Sequence, residues 1–123
     1  MAIKEIWYPS ESLLLKVHAS MIRKYGGYEG FEIGITPFYQ IIKDAKEIDG
    51  LYLKAAVILK GIVTTRIFQD GHHRTGCAVT QIFLNKNGLD YKEKYPEKVS
   101  KFVKEIRCYS INQIAKWIEY GKI

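Results

Sequence analysis

Little in this chain points to a membrane, an oxidising compartment or a nucleic acid. It has only two cysteines, Cys77 and Cys108, in no spaced framework, which excludes a disulfide scaffold and argues for a reducing compartment. No uninterrupted apolar run approaches membrane-spanning length, and the opening Met1-Ala-Ile-Lys-Glu-Ile-Trp7 lacks the long apolar core of a signal peptide. A cytoplasmic protein with no membrane contact is therefore expected. There is also no repeat, no low-complexity tract and no linker. No helix-turn-helix, zinc-finger or aromatic RNA-binding pattern stands beside the lysines that make the net charge +6. Lys92, Lys94, Lys98, Lys101 and Lys104 are interleaved with Glu93, Glu97 and Glu105 across a predicted helix. That is the pattern of a solvated face. A nucleic-acid partner is not expected, whereas the basic surface suits an acidic one.

What is present fits one domain, residues 1–123. The chain is 47% hydrophobic and 13% aromatic, enough to fill a core at this length. Periodicity predicts helices throughout. Ser10 caps a first helix to about Lys24, with Leu14, Val17, His18 and Met21 on one face, and Gly26-Gly27 stops it. His18, on that apolar side, reads as a hydrogen-bonded core histidine. Thr36-Pro37 supplies a cap and first-turn proline for a second helix to about Ala45, and Asp49-Gly50 breaks the chain. Leu51, Ala55, Leu59, Ile62 and Val63 give the third its stripe. The fourth runs from about His72 to Asn87, stops at Gly88, and is expected to be the central, most buried one. A fifth spans about Tyr95 to Arg107. The sixth starts at Ser110, whose spacing to Gln113 is a capping box, and Gly121 closes it.

Between the third and fourth helices lies Arg66-Ile-Phe-Gln-Asp-Gly-His-His-Arg-Thr-Gly76. Gly71 permits a tight turn where the next helix begins, so unsatisfied backbone N–H groups would face whatever lies in front. Arg74 adds a planar cationic fork to the positive end of that helix, and Asp70 is a hard oxygen ligand suited to hydrated magnesium. The combination reads as metal plus polyphosphate. The alternative is structural: Asp70 caps the helix, Arg74 pairs with a surface carboxylate, and Phe68 fills the core. His73 and Cys77 are also placed to grip zinc from one helix face, although a structural zinc site takes four ligands.

The segment resembles the signature of the Fic/Doc family (the Fido domain of filamentation-induced and death-on-curing proteins), His-x-Phe-x-Asp-Gly-Asn-(Lys or Gly)-Arg-Thr. Phe68, Asp70, Gly71, Arg74 and Thr75 match it. Leu51 to Leu59 ahead of the motif, Ile82-Phe-Leu-Asn-Lys-Asn-Gly88 behind it, His18 with Tyr25-Gly-Gly-Tyr-Glu-Gly30, and Ile111 to Ile118 extend the likeness over nearly the whole chain. The resemblance implies an all-α bundle of about six helices in the Fic/Doc fold, the motif loop leading into a central helix. It further implies ATP or another nucleotide with magnesium on Asp70, and phosphates held by Gly71, His72, His73, Arg74 and Thr75. Phe68 would anchor the loop. A protein target such as a translation elongation factor and an antitoxin-like partner are implied as well. The family's flap beside the site corresponds by analogy to about Lys43 to Gly50, which by itself reads as a polar loop.

This chain departs from the family at the catalytic position, where Arg66 replaces the motif histidine. Arginine stays protonated and cannot take a proton from a target hydroxyl. His72 and His73 replace asparagine and glycine or lysine, and Cys77 stands where adenylyl-transferring members carry another arginine. Two functions are compatible with these residues. One is a catalytically impaired toxin relative, a pseudoenzyme that binds a nucleotide, a target or an antitoxin. The other is an active phosphotransferase or adenylyltransferase in which His72 or His73 serves as a relocated base.

Overall fold

The computed structural model describes residues 5–92 and 94–123; Glu93 and the first four residues of the N-terminal segment lie outside them. Among the described residues six α-helices follow one another: α1 Glu11–Tyr25, α2 Thr36–Glu47, α3 Leu51–Thr64, α4 His72–Lys86, α5 Pro96–Lys104 and α6 Ile111–Tyr120, with a 3₁₀ turn at Ile106–Cys108. The fold is all-helical, and among the described residues the one β feature is an isolated antiparallel bridge between Phe31 and Phe68.

Local chemistry sets most of the boundaries. Ser10 Oγ accepts the Leu13 N–H at 3.1 Å, and Ser110 and Gln113 form the reciprocal capping box. The α1 and α6 ends pass into Gly26 and Gly121, both at positive φ. The start of α2 differs from expectation. Its N-cap is Ile35, Thr36 is already helical, and no side chain caps it; Pro37 in the first turn is what favours the helix here. Its end differs too, because Lys43 to Glu47 is helix rather than polar loop, with Ala45 fully buried beneath it. Lys92 and Lys94 precede α5 instead of lying on it. Lys94 Nζ donates to the Ile118 carbonyl at 3.1 Å and sits over the Tyr91 and Trp117 rings.

The central helix is α3, not α4. It packs against α2, α4 and α6 and against the 3₁₀ turn, whereas α4 packs mainly on α3 and α1. Its composition explains why: a helix apolar nearly all round belongs inside, and Ala55, Ala56, Ile58, Leu59 and Ile62 are all buried. Lys54 is buried with them, its ammonium donating to the Ala45 carbonyl at 3.0 Å. Phe102 lies flat on Trp117, centroids 3.9 Å apart, and joins α5 to α6. At the far end of α4, the Asn87 side chain exchanges hydrogen bonds with both backbone groups of Trp7, each 2.9 Å.

Candidate functional site

The α3–α4 connection is held at both faces. Ile67 and Phe68 are 1% exposed and fix it to the core. On its outer side an extended segment runs antiparallel to it. Glu32 and Ile33 donate backbone N–H groups to the carbonyls of Ile67 (3.0 Å) and Arg66 (2.8 Å), and Gln69 donates to Gly30 at 3.1 Å. The chain beside the motif is therefore the Gly30–Gly34 region, and the analogy that put a flap at Lys43 to Gly50 is corrected: that stretch closes α2. From α1, His18 stacks on Phe68 with centroids 3.5 Å apart.

Asp70 ends the connection. Its Oδ2 accepts the Tyr28 N–H at 2.8 Å, and its carbonyl accepts from His18 Nε2 at 2.7 Å. Its carboxylate thus ties down the Tyr28 segment and does not cap α4. Gly71 follows in the left-handed region at φ 79°, and no side chain caps α4. A Cβ on Gly71 would lie 3.0 Å from the tip of Ile22, at Cδ1, and 3.5 Å from His18, so it is the backbone angle that calls for glycine while the space around it is close. Asp70, Gly71, His72, His73 and Arg74 line an open cleft of about 250 Å³ at the start of this helix. Arg74 has no carboxylate partner among the described residues; its guanidinium lies over the Tyr25 ring, 4.2 Å from the centroid.

The expected site residues fall into three groups. Asp70, Gly71, His72, His73 and Arg74 come together in the cleft. Arg66 does not line it; exposed on the surface, it pairs through Nε with Glu32 Oε2. Thr75, expected on phosphate, is fully buried, with its N–H bonded to the Gly71 carbonyl. Its side chain does not face the cleft.

Both cleft histidines are held below the ordinary imidazole value. Burial does most of this at His72, reinforced by the Arg66 charge; at His73 burial again leads, followed by His72 and Lys104. Both shifts favour the neutral ring. The His72 Nδ1 is buried without a hydrogen-bond partner, so the exposed His73 is the better placed of the two to meet a ligand's proton.

Against models of known protein families and against curated proteins, the chain gives no match.

The zinc alternative gains no further ligands, since no group of three or more His, Cys, Asp or Glu is placed to hold a metal among the described residues. Burial pushes the Cys77 thiol up to about 11, against the thiolate that zinc requires. Glu32, Tyr25 and Tyr28 were not singled out as site residues by sequence reasoning. The run Tyr25 to Gly30 held the only signal, as part of a family resemblance. Nothing local reveals that it folds across the motif.

Proposed function

We propose that this chain is a Fic/Doc-like protein of the death-on-curing type that has lost transfer chemistry and works as a binding module. In this reading the start of α4 takes the phosphates of a nucleotide such as ATP, with magnesium on Asp70. A protein partner, in the family context a translation elongation factor or an antitoxin-like protein in the cytoplasm, docks beside it.

The observation that carries this reading is an uncapped helix N-terminus beside an arginine that no carboxylate engages among the described residues. First-turn amides, the positive helix end and a guanidinium fork suit an oxyanion. Asp70 has one carboxylate oxygen not bonded to Tyr28, and magnesium is commonly held by one or two carboxylates plus phosphate oxygens. A bound magnesium nucleotide would supply a transferable phosphoryl or adenylyl group. Arg66 cannot remove the proton from an attacking hydroxyl, and its pairing with Glu32 leaves it outside the cleft. Tyr28, Phe31 and Ile33, 61%, 49% and 63% exposed, give a partner an apolar surface next to the site.

The test is thermal unfolding with magnesium ATP. Binding to the folded state stabilises it by about 2.7 kcal/mol when free ligand is a hundredfold above Kd, a shift of about ten degrees. The shift should need magnesium and vanish in Arg74→Ala. An unchanged Tm at millimolar ATP would remove the binding function.

A further inference from the structure

We propose that, on the anion-site reading above, His18 is the positioning residue of the cleft, acting through its hydrogen bond to the Asp70 carbonyl. His18 is 2% exposed and belongs to α1, 52 residues upstream of Asp70. A carbonyl can only accept, so at 2.7 Å it is the His18 Nε2 that carries the hydrogen. Burial of the ring needs no more than an apolar neighbour, and Phe68 provides one at 3.5 Å. The polar bond satisfies the buried ring nitrogen, and it also fixes the carbonyl that it engages.

The consequence falls on the peptide joining Asp70 to Gly71. In a trans peptide the carbonyl and the next N–H point in opposite directions, and the described chain has no cis bond. Holding the Asp70 oxygen towards α1 therefore turns the Gly71 N–H away from α1, and Gly71 is itself one of the residues that line the cleft. Glycine at φ 79° makes this plane easy to rotate, because no Cβ resists it. Rotated by half a turn, the peptide would present a carbonyl oxygen, which repels anions, in place of a donor. His18 opposes that rotation, because its Nε2 holds the oxygen at 2.7 Å. Fixed backbone donors cost no reorganisation when a ligand arrives.

His18→Phe and His18→Gln separate this role from core filling. Phenylalanine keeps the stacked ring and loses the donor; glutamine keeps a donor of similar reach. Two readouts are needed: backbone ¹⁵N order parameters at Gly71 to Arg74, and pyrophosphate affinity by calorimetry, with Tm followed alongside. In His18→Phe the order parameters should fall from about 0.85 towards 0.6 and affinity should drop on the order of tenfold. His18→Gln should stay within about threefold of wild type. Wild-type order and affinity in His18→Phe overturn the proposal, as does equal loss in both variants in step with Tm. If the wild type fails to bind pyrophosphate, the anion-site reading falls, and the order parameters alone decide whether His18 holds the turn.

Discussion

At the scale of single residues, position 66 decides between a binding module and an enzyme. Arg66 is exposed and joined to Glu32, and exposed pairs of this kind contribute little to stability, so Arg66→His should fold like the wild type. It would place an imidazole just ahead of Ile67 and Phe68, both 1% exposed and rigidly seated. With ATP labelled separately at the α and γ phosphates in cell extract, wild type should transfer nothing, whereas Arg66→His should label a protein target. Label from the wild type would instead support a relocated base, and His73→Ala should then abolish it, since His72 Nδ1 is buried. Which phosphate moves would distinguish adenylylation from phosphorylation. Asp70 illustrates what sequence alone could not decide here. Magnesium ligand and helix cap were the two readings, but its hydrogen bond to Tyr28 spans 42 positions and has no local signature.

At the scale of elements, caps and glycines made the helix boundaries legible, while partners in space were not. Ser10, Ser110 with Gln113, Gly26 and Gly121 act within one turn of the chain, so their effect is readable directly. The last turn of α2 carries Lys43, Asp44, Lys46 and Glu47 around the single buried Ala45, too little apolar periodicity to distinguish helix from loop. The central place of α3 is written in its near-continuous apolar sequence, whereas α4, which opens with the polar motif, carries a narrower apolar face. Close packing around α3 gives a direct test. Glycine inside a helix normally costs about 1 kcal/mol relative to alanine, yet a Cβ at Gly61 would fall 2.7 Å from Ile41 Cγ1 and 2.9 Å from Cγ2 on α2. Ile41 is buried and branched at Cβ, so it cannot swing aside. Gly61→Ala should therefore destabilise by about 1–3 kcal/mol in urea unfolding, and far less in an Ile41→Ala background. A stabilised single variant would mean that α2 and α3 are less closely apposed than this.

At the scale of the whole molecule, the all-helical class followed from composition and period, whereas the cleft depended on three distant segments converging, α1, the Gly30 region and the start of α4. Charge is the other property that belongs to the entire chain. Nineteen lysines and arginines face thirteen aspartates and glutamates, and the described residues form one close salt bridge, an exposed one. Several cations are turned to other uses: Lys54 to a carbonyl, Lys94 to a carbonyl and two rings, Arg74 to Tyr25. Like-charge repulsion should then outweigh ion-pair attraction in the folded state. Raising ionic strength from about 0.01 M to about 0.15 M shortens the Debye length from roughly 30 Å to roughly 8 Å, which screens repulsion more than it weakens a single exposed pair. Scanning calorimetry should show Tm rising modestly over that range. The rise should persist in Arg74→Ala, because it comes from the overall charge and not from an anion entering the cleft. A rise confined to the wild type would assign the effect to anion binding at α4, and a fall would mean that attractive pairs dominate the surface.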